Sequence, residues 1–157
     1  MKDSQYMNPL LRTLAILFGL LLLAASVQAA EAGNPVTIRD AYVRGLPPGV
    51  RNTAAYMTII NNGDTDLVLS GASSPAADST MLHTTVNTNG KMSMEHVMSA
   101  VVPAHGRLVL SSGGYHFMLM GLRRQLGSGD TVKLTLQFRD AFTVPLELPV
   151  VSVLDEQ

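Results

Sequence analysis

Apolar residues along this chain come in short runs, punctuated by glycine, asparagine and proline. After Ala29 no segment sustains a 3.6-residue apolar period over the length of a helix. Strand-like runs recur instead: Val36 to Arg44, Ala55 to Ile60, Leu67 to Gly71, Thr80 to Val86, Lys91 to Met98, Val101 to Leu110 and Tyr115 to Gly121. Two more follow. In Thr131 to Phe138, Val132, Leu134, Leu136 and Phe138 alternate with polar neighbours, the mark of a strand buried on one face. In Thr143 to Val151, Val144, Leu146, Leu148 and Val150 face inward, and Pro145 and Pro149 remove N–H groups on one side, which predicts an edge strand.

Turn chemistry separates the runs. Pro47-Pro48-Gly49 predicts a loop, and Asn61-Asn62-Gly63-Asp64, Asn87-Thr88-Asn89-Gly90 and Gly127-Ser128-Gly129-Asp130 predict turns that lead from one run into the next. Ser111-Ser112-Gly113-Gly114 predicts a tight hairpin between the sixth and seventh runs. Apolar parity slips between Ile38 and Ala41, which predicts a β-bulge. Eight or nine short strands at this spacing predict an all-β domain, an antiparallel β-sandwich or Greek-key barrel.

The first residues differ in kind. Lys2 and Arg12 flank a polar start, and Thr13 to Ser26 is almost wholly apolar before Val27-Gln28-Ala29. That is the layout of a secretory signal peptide spanning 1–29, cut after Ala29. The apolar run is shorter than the ~20 residues of a membrane-spanning helix. The remaining 30–157 are expected to form one exported domain, with no membrane association after cleavage.

Composition narrows the chemistry. Charge is nearly balanced, 11 Lys+Arg against 12 Asp+Glu, with no basic stripe for nucleic acid. Cysteine is absent, which removes disulfides, thiolate nucleophiles and zinc-finger ligation. No nucleophile–base motif, paired-carboxylate signature or phosphate-cradling glycine loop is present, so the chain does not read as an enzyme.

Methionine is abundant, nine residues in all, and only Met1 and Met7 fall in the leading segment. Met57, between Tyr56 and Thr58, reads as core, the usual place for this adaptable side chain. His105, in a loop beside Gly106, reads as a surface residue. The remainder is patterned. Alternation places His116, Met118 and Met120 on one face of their strand and Tyr115, Phe117 and Leu119 on the other. His83 shares parity with Met81, and Met92, Met94, His96 and Met98 share another face. Imidazole and thioether together are soft, neutral donors suited to Cu(I), and without a thiolate they cannot form a blue-copper centre. Whether Met81, Met92, His96 or Met120 belongs to the set stays open on parity alone.

The spacing His83, ten residues, Met94, twenty-one residues, His116-Phe117-Met118 resembles the periplasmic copper chaperone family PCu(A)C. So do Asp40-Ala41-Tyr42-Val43-Arg44, Ala54-Ala55-Tyr56-Met57-Thr58, Val102-Pro103-Ala104, Gly113 to Leu122 and Gly129-Asp130-Thr131-Val132. Tyr42 stands where that family favours tryptophan, and Met81 where it often has glutamate. The resemblance implies a cupredoxin-like β-sandwich. It implies copper ligation by His83, Met94, His116 and Met118, chiefly of Cu(I) and in some members Cu(II). It also implies delivery to the dinuclear copper centre of cytochrome c oxidase subunit II, alongside Sco-type proteins. A copper storage or detoxification binder, or a plain β-sandwich interaction module, would use the same residues differently.

Overall fold

The computed structural model describes residues 35–139 and 141–152, and the expected signal peptide at 1–29 lies outside them. Among the described residues ten strands are formed: β1 (Val36–Arg44), β2 (Asn52–Asn61), β3 (Leu67–Ser73), β4 (Ser79–Thr88), β5 (Lys91–His96), β6 (Ala100–Val102), β7 (Arg107–Leu110), β8 (Tyr115–Met120), β9 (Thr131–Phe138) and β10 (Thr143–Val151). Their hydrogen-bonded order is β5-β4-β8-β7-β2-β1-β10-β9-β3-β6, with β8 also paired to β2. One leaf holds β5, β4, β8, β7, β2 and β1, and the other β10, β9, β3 and β6. Leu82, Phe117 and Leu119 of the first leaf share one core with Leu69, Leu134, Leu136 and Leu148 of the second.

Local chemistry explains several elements. In β9 the apolar alternates are buried and Thr131, Lys133 and Gln137 are exposed. The expected bulge is present in β1. Its register with β2 shifts between Arg39 and Tyr42, and Asp40 takes the left-handed backbone at φ 52°, which a short polar side chain tolerates. β4 turns into β5 through Asn89-Gly90, with Thr88 opposite Lys91 and φ of 54° and 81° at the two turn residues. Both positive angles fit a type I′ hairpin, the turn whose twist matches the strands it joins. Asn61 ends β2 as a buried staple. Its Nδ2 donates to the Thr65 and Val102 carbonyls at 2.8 and 3.1 Å, and its Oδ1 accepts from Gly63 N–H at 2.9 Å.

Three expectations are corrected. The run Val101 to Leu110 is two strands, because Pro103, Ala104, His105 and Gly106 turn the chain from one leaf to the other. β6 pairs with β3 and β7 with β2, and His105 sits at φ 52°. Nor does Ser111 to Gly114 make a hairpin. β7 and β8 run parallel, joined at Leu110–Tyr115, and pair with successive stretches of β2. The loop offsets the chain sideways without reversing it. Finally, β10 is not an edge strand, since it lies between β9 and β1. Its β1 pairing is confined to Val43–Val150 and Arg44–Val151. Val150 N–H points to β9, bonding Asp130 O, so Pro145 and Pro149, of opposite parity, direct their missing donors away from β9. The prolines therefore mark where β10 peels away from β1.

Candidate metal centre

The fold sets β8 between β4 and β2, and so decides which histidines and methionines meet. On β8, Phe117 and Leu119 point into the core. The alternate residues His116 and Met118 point to the opposite face by the period-two rule. Register aligns β4 with them: His83 lies opposite His116, and Met81 opposite Met118. On the far side of β4, His83 lies opposite His96 and Thr85 opposite Met94. Directly opposed residues share a face, so His83, Met94, His96, His116 and Met118 all project from one side of the leaf.

The geometry is compact. The His83 and His116 ring centroids are 6.1 Å apart, nearly edge to face. His83 and His96 are 5.9 Å apart in a similar arrangement. A cavity of about 230 Å³ adjoins the group, with Met94, His116 and Met118 in its wall. Its other side is built by Arg44, Leu46 and residues of β2, including Tyr56. The loop that carries Leu46 is held by Gln125, whose side chain bonds the Leu46 and Pro47 carbonyls at 3.4 and 3.1 Å.

Burial separates the four nominated residues. His116 is 2 % exposed, His83 and Met118 are half-buried, and Met94 is 62 % exposed on β5. Alternation gave His116 the right face but not its burial. The cover comes from across β2, where the Tyr56 ring centroid is 6.3 Å from that of His116. Arg44 places its guanidinium 5.4 Å from the centre of the same tyrosine ring. Tyr56 and Arg44 have no chemistry in the sequence that marks them as walls of this site; pairing of β2 with β8 puts them there.

The imidazoles are prepared as donors. His116 Nδ1 lies 3.0 Å from the Gly114 carbonyl. A carbonyl only accepts, so Nδ1 carries a proton, and in the neutral ring that tautomer leaves the lone pair on Nε2. That Nε2 is closed off from solvent and has no hydrogen-bond partner among the described residues, and the same holds for His83 Nδ1. A buried unpaired nitrogen costs roughly 1–3 kcal/mol, and two on cross-strand neighbours mark a place where a cation would complete the bonding. Fixing the tautomer through the far nitrogen is the usual way a protein aims a metal-binding histidine. Burial, and then the neighbouring His116 and His96, push the His83 pKa below the ordinary histidine value. At neutral pH this ring is therefore uncharged and able to donate.

The donor set fits a soft monovalent ion. Among the described residues no group of three or more His, Asp or Glu side chains is arranged to hold a metal, so a site on this face must draw on thioether sulfur. None of the described residues lining the cavity carries a carboxylate, which disfavours calcium and magnesium.

Fold and face together define a small cupredoxin-like β domain that presents imidazole and thioether donors from one leaf. The chain belongs to the LpqE-like family: the family model described as "Putative lipoprotein LpqE-like" matches residues 36–150. A relative from Leifsonia xyli subsp. xyli, "Putative lipoprotein Lxx21020", is 38% identical over 142 residues, covering 87% of this chain and 84% of the relative. Both names refer to lipoproteins, whereas the 157 residues here contain no cysteine to carry a lipid. Among solved structures, CuI-DR1885 from Deinococcus radiodurans is 40% identical with a TM-score of 0.64, covering 85% of this chain and 89% of that one. The copper-bound PCuAC domain from PmoF2 has a TM-score of 0.64 at 21% identity, covering 76% of this chain and 94% of that domain, and shares its fold.

Proposed function

We propose that this protein is a periplasmic copper chaperone. Its cargo is Cu(I), held by His83, Met94, His116 and Met118 and passed on by ligand exchange. The observation that carries this reading is a pair of imidazole nitrogens, His116 Nε2 and His83 Nδ1, buried without partners among the described residues on cross-strand neighbours that share a face with Met118 and Met94. The 40% identity to a protein solved as CuI-DR1885 supports the choice of metal. Four neutral donors suit transport: they hold a monovalent ion without a thiolate's grip, and exposed Met94 can leave first.

The recipient proposed is the dinuclear copper centre of cytochrome c oxidase subunit II, with Sco-type proteins acting alongside. Residues 1–29 serve as the export signal. Exchange of an ion between ligand sets needs no covalent step, and the proposal includes no catalysis.

Anaerobic Cu(I) titration against a competing chelator tests it, using the wild type, His83→Ala and Met118→Ala. One ion per chain in the wild type and weakened uptake in both variants is the expected result. Unchanged affinity in both would overturn the ligand assignment. Incubation of loaded protein with the apo copper domain of subunit II then separates a carrier from a storage binder, which would keep its ion.

A further inference from the structure

His83 occupies the middle of a cross-strand grid. On its β8 side it faces His116 directly, with Met118 on the diagonal. On its β5 side it faces His96 directly, with Met94 on the diagonal. The two directly opposed rings stand at nearly equal distances, 6.1 and 5.9 Å, and both are close to perpendicular to His83, at 73° and 78°. Directly opposed and diagonal side chains on one face of a sheet are within reach of one another. The strand β4 thus has an imidazole and a thioether on either flank, with its own imidazole between.

We infer that His83, His96 and Met94 form a second, outer subsite for Cu(I), overlapping the four-residue site and serving as its station for entry and exit. This rests on the copper-binding reading. His83 and Met94 belong to both sets, so an ion can shift from His116 and Met118 to His96 without losing all its donors at once. Exposure is graded in the same direction. His116 is sealed, His83 is half-buried, and His96 and Met94 lie on the fully exposed strand β5. Met92, 58 % exposed on the same face of β5, continues the row toward solvent. Two-coordinate and three-coordinate Cu(I) are both acceptable to imidazole and thioether donors, so three neutral ligands suffice for a transient stop.

The test uses chelator-competed Cu(I) titration of the whole chain in four forms: wild type, His96→Ala, the double variant His116→Ala/Met118→Ala, and that double variant with His96→Ala added. Amide NMR spectra check that each is folded. The double variant should retain one weakly held ion, and the triple variant should bind it at least roughly tenfold more weakly. Equal affinity in the double and triple variants would overturn the outer subsite. Absence of uptake by the wild type would overturn the parent reading and this one together, and is distinguishable because the loss precedes any substitution. His96→Ala alone alters an exposed strand and leaves the fold intact. It should keep the wild-type stoichiometry while slowing Cu(I) release to the chelator several-fold, and an unchanged release rate would also count against the subsite.

Discussion

Replacing His116 with leucine should weaken Cu(I) binding at least roughly tenfold while leaving the metal-free domain at least as stable as the wild type. The expectation comes from the unequal bonding of the two ring nitrogens. Leucine is close to histidine in volume, so the substitution opens little space in a position that is 2 % exposed. It removes a buried Nε2 that has no protein partner, relieving about 1–3 kcal/mol. It also removes the Nδ1–H donation to Gly114 O at 3.0 Å, a loss of about 0.5–1.5 kcal/mol. The abandoned carbonyl is not stranded, because Thr85 N–H still donates to it at 3.2 Å. The net is a gain of about 1 kcal/mol, or a few degrees in Tm. Urea denaturation of metal-free protein measures it, paired with Cu(I) titration of the same sample. A loss of about 2 kcal/mol or more would show that Nε2 is well bonded in the folded chain and would refute the reasoning. Copper affinity equal to that of the wild type would refute it from the other side.

Other expectations follow from single features. His83 has a folded pKa below its unfolded value, so the unfolded chain takes up the proton first; stability should fall as pH drops through the ordinary histidine range and stay level above it. Comparing wild type with His83→Gln by urea midpoints from about pH 7.5 to about pH 5 checks this, and identical slopes would contradict it. Asn61→Ala deletes three hydrogen bonds in a buried turn and should cost about 3 kcal/mol, seen as a Tm drop of about 10 °C by calorimetry. Met94→Ala, at a position 62 % exposed, should change stability by less than about 0.5 kcal/mol yet weaken Cu(I) at least roughly tenfold, a separation that titration and thermal melts can read on one sample.

Much of this could be read from the chain because the information is local. Alternation in β9 fixed its inward face, Asn89-Gly90 fixed a hairpin, and the parity slip near Asp40 located a bulge. The same rule put His116 and Met118 on one face and Phe117 and Leu119 on the other. What parity lacks is the identity of a strand's neighbours, which depends on pairings made across long stretches of chain. The insertion of β8 between β4 and β2 places His83 opposite His116, and nothing within either strand states it. The same insertion brings Tyr56 over His116, which is why a histidine on the non-core face is nevertheless buried. His96 was ambiguous for the same reason: its importance lies in being opposite His83. The run from Val101 to Leu110 looked continuous because its apolar residues serve both leaves. Pro103 and Gly106 are the visible sign of the break. Pro145 and Pro149 did report an unpaired side of β10, but the strand rejoins β1 at its last two residues and is interior there.

The most direct measurement is X-ray absorption at the copper edge of protein loaded anaerobically with one equivalent of Cu(I). The account predicts a first shell of two nitrogens and two sulfurs, from His83, His116, Met94 and Met118. A shell of nitrogen and oxygen alone, with no copper–sulfur contact, would contradict it.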